Sequence, residues 1–219
     1  LPIHAGPEIG VASTKAFLGQ MLVLYLLSLK ISEIRKDIDH KQYKSKINEL
    51  KKLPKLILDS LKEEEKIQLI AKDIYKSKGS MFLGRGSSFP IALEGALKLK
   101  ELSYLHAEGY PAGEMKHGPL ALIEDGLPVV VIAPKDKYFE KTLSNMQEVI
   151  ARGGKVLLLT NSTSKVISEN IRFQINLPDS HISLTPFLFT IPLQLLSYHV
   201  ALFKKCDIDK PRNLAKSVT

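Results

Sequence analysis

Met81-Phe82-Leu83-Gly84-Arg85-Gly86-Ser87-Ser88, a short apolar run that breaks into a glycine-serine loop, decides the fold class. From residue 80 onward, short apolar runs alternate with helical segments, which is the pattern of a parallel α/β sheet. Strands are predicted at 81–83, 129–133, 156–159 and 173–177. A helix over 137–151 stops at Gly153-Gly154, a glycine signal for a helix C-terminus. The closing helix, about 184–203, is apolar on most of its circumference. Pro186 suits its first turn, and Pro192 implies a kink or a later start. The predicted sheet is doubly wound, a form in which ligands bind beyond the carboxyl ends of the strands.

Upstream of the sheet the sequence is helical. A long apolar-rich helix is expected from about residue 13 to about residue 38, with Ser13 or Thr14 as its N-cap. A charge-laced amphipathic segment carries Ile47, Leu50, Leu53, Leu56, Ile57 and Leu61 at helical spacing and breaks near Pro54, and a third helix covers about 64–76. The Lys-rich stretch 40–52 reads as a connection between two structural units.

The chain has 219 residues, 44% hydrophobic and 25% charged, which is enough to bury a real core. Its 31 Lys+Arg exceed its 23 Asp+Glu and give a net charge of +8, which favours acidic partners. Much of that charge is Lys scattered on helical segments between residues 30 and 78, and no basic run with interleaved aromatics marks a nucleic-acid surface. A single Cys206 excludes an internal disulfide and fits a reducing cytoplasm. No metal-ligand spacing is present. The longest apolar run, 21–27, is too short to span a bilayer, so no membrane partner is expected. The chain begins at Leu1, directly on a compact motif, and is expected to be a piece of something longer.

Residues 84–118 gather the candidate chemistry. The loop Gly84-Arg85-Gly86-Ser87-Ser88 feeds a helix, and either grips a phosphate with its hydroxyls and free N–H groups or is a plain tight turn. Glu94, Lys98 and Glu101 lie four and three residues apart and share one helical face. Ile91, Leu93, Ala96, Leu97, Leu99, Leu102 and Leu105 fill nearly every other direction, so this helix is expected to be buried on most sides. Ionisable groups on a buried helix must be paired or face a polar cavity. Residues 108–118 read as an ornate loop ending in Lys116-His117-Gly118, whose histidine is a candidate general acid or base. The polar tail 209–219 is either disordered or folds over a site and brings a lysine amine to a carbonyl.

EIGVASTKAF, IALEGALKLKELSYLHAEGYPAGEMKHGPLALI and PRNLAKSVT resemble the glucosamine-6-phosphate synthase family, the isomerising glutamine–fructose-6-phosphate amidotransferases, over the C-terminal part of their isomerase half. The resemblance spans essentially the whole chain. It implies a three-layer αβα sandwich with a parallel sheet, a sugar-isomerase (SIS-type) domain, preceded by helices. Residues 1–40 would be the C-terminal helical remnant of a first such domain, 41–209 the second with its leading helices, and 210–219 a catalytic tail. It further implies that the glutaminase domain and the first-domain sheet with its phosphate-gripping loop lie outside this sequence, as do two closing residues. The piece is therefore expected to be inactive alone.

By the same resemblance, Glu101 moves the proton between C1 and C2 of the sugar and Lys98 assists it. His117 opens the ring in the site of a neighbouring subunit, and Lys216 forms an imine with the open ketose. Val11, Ser13, Glu94 and Ala215 contact substrate, with Ser87 and Ser88 as further candidates. The partners implied are fructose-6-phosphate or glucosamine-6-phosphate, the glutaminase domain and a second copy of the chain. No cofactor and no metal are needed. The alternative is a regulatory SIS module that binds a phosphosugar without turnover.

Overall fold

The computed structural model describes residues 1–162 and 171–216. Four helices precede the sheet: α1 (Lys15–Ile34), α2 (His40–Leu50), α3 (Leu53–Leu61) and α4 (Glu64–Ile74). There follow β1 (Gly79–Gly84), α5 (Ser88–Ser103), β2 (His106–Pro111), β3 (Pro128–Ile132), α6 (Phe139–Ile150), β4 (Lys155–Thr160), β5 (Ile171–Asn176) and α7 (Thr185–Phe203). All neighbouring strands pair in parallel, in the order β2-β1-β3-β4-β5.

The strands obey the two-residue period of a pleated sheet. Phe82, Val130, Ile132, Leu157 and Leu159 face one way and pack with α4, α5 and α7. Met81, Leu83, Val129, Val131, Val156 and Leu158 face the other and pack with Met146 and Val149 of α6. Both faces are covered, so the strands read as continuous apolar runs. The result is a three-layer αβα sandwich. Leu18, Met21, Leu22 and Tyr25 of α1 and Leu56 and Ile57 of α3 pack against the core from outside.

Several elements depart from the sequence reading. β2 was expected to be loop. It is an edge strand in which Gly109 lies under α5: a Cβ there would come within 2.9 Å of the Leu93 backbone. Close backbone approach therefore put glycine where strand propensity would place a branched residue. The remaining Ala112–His117 is a 3-10 turn. The stretch 40–52 folds mainly as α2, whose Tyr43, Ile47 and Leu50 pack with Leu22, Tyr25 and Leu29 of α1. Pro54 sits in the first turn of α3. Pro192 lies inside α7, which begins at Thr185 without delay. α5 is less enclosed than expected, since Leu93 and Leu97 are exposed.

Among the described residues, two helical segments are long and apolar enough to cross a membrane by length and composition, α1 and 182–203. The run 21–27 thus understates α1. Residues 182–203 are largely interior, whereas α1 leaves Leu24, Leu27, Ile31 and Ile34 exposed on the surface.

Candidate active site

α5 is positioned by its packing on β1, β2 and α7, where a Cβ at Gly95 would come within 3.0 Å of Phe82 and 2.7 Å of Leu193. The Lys98 side chain is only 4% exposed, and its Nζ donates to Glu101 Oε2 at 2.5 Å. Glu94 Oε1 lies 3.6 Å from the same Nζ, an ion pair longer than a hydrogen bond, and it has no other partner. Burial is the main influence on Glu94 and pushes its pKa up. Lys98 opposes the rise and Glu101 adds to it. One buried cation thus serves two carboxylates, of which Glu101 is the better bonded.

Glu101 lines a cavity of about 530 Å³ with Lys100, Tyr104, His106, Arg212, Asn213 and Leu214. Arg212, Asn213 and Leu214 bring the tail to one wall of this cavity. The Arg212 amide donates to the Tyr104 hydroxyl at 2.7 Å, and the guanidinium lies 4.2 Å from the ring centroid. Further along, Lys216 Nζ donates to Glu8 Oε2 at 3.0 Å and to the Gly10 carbonyl at 2.8 Å. The expectation that the tail either stays loose or folds over a site is resolved for 210–216, which fold back. Residues 217–219 lie outside the described residues.

The segment before α1 meets the tail. The Val11 amide donates to the Asp209 carbonyl at 2.9 Å. Ala12 sits in a small core with Leu102 and Ala201, which sets the Val11–Ser13 backbone against the same end of α5 that carries Glu101. Thr14 is the N-cap of α1, but neither it nor Ser13 caps through its own hydroxyl. Glu8 does that work. Its Oε1 accepts from the Thr14 amide at 2.9 Å, the Thr14 hydroxyl at 3.2 Å and the Ala16 amide at 3.4 Å. Burial pushes the Glu8 pKa up, but the Thr14 amide, the Lys216 ammonium and the Ala16 amide outweigh it and pull it down to about 2.

Among the described residues, His117 and the serines of the glycine-serine loop make no hydrogen bond or ion pair to this cluster. His117 ends the 3-10 turn, 77% exposed, with Nε2 4.0 Å from Glu114. Ala215 is exposed, whereas Val11 and Ser13 are half-buried. In the glycine-serine loop, Ser88 is buried and Ser87 is exposed and makes no side-chain cap of α5. Gly86 has φ +54° and lies so close to the Tyr138 ring that a Cβ would come within 2.7 Å of it. Tyr138 therefore occupies the space over this loop, and Arg85 is drawn away to Asn145 Oδ1 at 2.8 Å. Sequence reasoning missed Glu8 and Tyr104. Neither carries a local signal, since each acts on a partner distant in sequence.

The SIS domain family model matches residues 73–204. The chain belongs to the SIS domain family. It is 52% identical over 221 residues to the glutamine–fructose-6-phosphate aminotransferase [isomerizing] of Bradyrhizobium diazoefficiens, covering 100% of this chain and 36% of that protein. The chain thus spans about a third of the length of the curated relatives it matches. Among solved structures it is similar to the C-terminal domain of glucosamine-fructose-6-phosphate aminotransferase from Francisella tularensis. That match has a TM-score of 0.91 and 46% identity, over 94% of this chain and 58% of that one. A glucosamine-6-phosphate deaminase from Thermotoga maritima matches with a TM-score of 0.69 and 25% identity, over 97% and 59%. The sequence likeness to the Bradyrhizobium protein extends over the whole chain, α1 and the tail included.

Proposed function

We propose that this chain is the second sugar-isomerase unit, with the closing helical part of the first and the catalytic tail, of an enzyme that makes glucosamine-6-phosphate from fructose-6-phosphate and glutamine-derived ammonia. The observation that carries the reading is the arrangement at α5: Glu101, bonded to buried Lys98, lines a cavity together with Arg212, Asn213 and Leu214 of the tail, and Lys216 further along the same tail is held at Glu8. An ion-paired carboxylate beside a ligand-sized space suits proton transfer at carbon.

In this mechanism the sugar ring opens first, with His117 as the proton shuttle of a neighbouring subunit. Its exposure at the end of a surface turn supports service across a subunit boundary rather than within its own chain. The Lys216 amine adds to the C2 carbonyl and water leaves, forming an imine. Ammonia then displaces the lysine and leaves C2=NH. Glu101 takes a proton from C1 and returns it at C2, while the O1 proton passes to nitrogen. The double bond moves to C1=O, and C2 becomes an amine-bearing carbon. Lys98 holds Glu101 in place through both protonation states. Val11, Ser13, Glu94 and Ala215 contact the sugar, and the working assembly is a dimer with the glutaminase domain attached. Soluble substrates and a lone thiol suit the cytoplasm.

The experiment is Glu101→Gln in the full-length protein, with aminosugar formation and glutamine hydrolysis assayed side by side. Product formation is expected to fall at least about 100-fold while glutamine hydrolysis survives. Unchanged product formation sinks the assignment. Sugar-phosphate binding without turnover in the parent protein would favour the regulatory module instead.

A further inference from the structure

Lys216 is exposed on a tail, where a long side chain ordinarily loses its orientation. Here it is held by a carboxylate that is itself fixed. The Glu8 side chain is only 9% exposed, and its two oxygens divide their work. Oε1 takes the N-terminus of α1 through the Thr14 and Ala16 amides, and Oε2 takes Lys216 Nζ. The first contact anchors Glu8 to a helix of 20 residues, and the second passes that rigidity to the amine. Gly10 supplies the other acceptor at 2.8 Å from Nζ, one residue before Val11.

We propose that Glu8 is the positioning residue for the Lys216 amine. The inference rests on the imine-forming role given to Lys216 above. An ammonium has three N–H bonds, and two are committed to Glu8 and Gly10. When the third proton leaves, the neutral amine keeps both hydrogen bonds, and its lone pair occupies the one remaining direction. That direction is set by Glu8 and Gly10 rather than by the flexible lysine stem. Fixing a nucleophile's lone pair before substrate arrives lowers the entropic part of the barrier to attack on a carbonyl. Glu8 is not the base that removes the proton, because a carboxylate holding four hydrogen bonds is a poor proton acceptor near neutrality. It holds the amine, and bulk solvent or substrate oxygen takes the proton.

The rival is that Glu8 only caps α1. The two roles separate chemically, because Glu8→Gln keeps an amide oxygen for Thr14 and Ala16 and loses the charge that grips Lys216. The full-length protein, Glu8→Gln and Lys216→Arg are incubated with fructose-6-phosphate and cyanoborohydride. The sugar-phosphate adduct at Lys216 is quantified by peptide mass spectrometry over a range of sugar concentrations. The expected result is a rate of adduct formation at saturating sugar at least tenfold lower in Glu8→Gln. The half-saturating sugar concentration should stay within twofold of the parent and the circular dichroism should be unchanged. A saturating rate within twofold of the parent, or a fall matched by an equal rise in half-saturation, overturns the proposal. Should Glu8→Gln not fold, Glu8→Asp, which keeps the charge but shortens its reach, is held to the same limits. An adduct absent from the parent at Lys216 is a different failure. It removes the imine reading itself, and the Glu8 role with it.

Discussion

Tyr104 and Arg212, 108 residues apart, are joined twice, by a hydrogen bond from the Arg212 amide to the Tyr104 hydroxyl and by the guanidinium lying over the ring. Tyr104 is also the residue that ends α5, in the left-handed region at φ 58°. A side chain in that region costs about 1 kcal/mol or more, which the stacked arginine helps to offset. The end of the helix that carries Glu101 is thereby the place where the tail is fastened.

Loosening this joint should free the tail before it unfolds the domain. Tyr104→Phe removes the acceptor and keeps the ring, a loss of about 1 kcal/mol, so trypsin should cleave after Arg212 about fivefold faster in native conditions. Tyr104→Ala, which loses both contacts, should exceed it. Equal cleavage rates in parent and variants would show that the tail is held elsewhere.

Removing the buried cation should be costly in a pH-dependent way. Lys98→Met leaves Glu94 and Glu101 as two crowded carboxylates and should destabilise the fold by about 3 kcal/mol near neutrality. Burial already pushes the Glu94 pKa up. A carboxyl whose folded pKa is raised opposes folding once pH exceeds its unfolded value, and the opposition fades on acidification as the folded state takes up its proton. The deficit relative to the parent should therefore shrink as pH falls from about 7 to about 5, read from denaturant midpoints. A deficit independent of pH would contradict the charge argument.

Glu8 carries the opposite sign. Its folded pKa lies near 2 against an ordinary 4.5, so its contribution is full above about 4.5 and is lost as pH falls toward about 2. Parent and Glu8→Gln should differ by on the order of 2–3 kcal/mol at neutral pH and converge near pH 2. Chemical denaturation at several pH values checks this, and parallel curves down to pH 2 would refute it.

Short-range pattern determined much of this protein. The continuous apolar runs Met81-Phe82-Leu83 and Val129–Val131 specify strands buried on both faces, and they need only neighbouring residues to be read. The Glu94, Lys98 and Glu101 stripe was equally legible, because helical geometry alone places residues three and four apart on one face. What the pattern left out is long-range. β2 was hidden because its Gly109 answers to the α5 backbone rather than to strand propensity. The tail's course was undecidable because Arg212 finds Tyr104, and Lys216 finds Glu8 across 208 residues. Local sequence encodes backbone preference and the sidedness of an element. Which distant groups meet is set by how the helices pack, and that packing is where Glu8, a surface-like residue in the sequence, became the buried link between α1 and the tail.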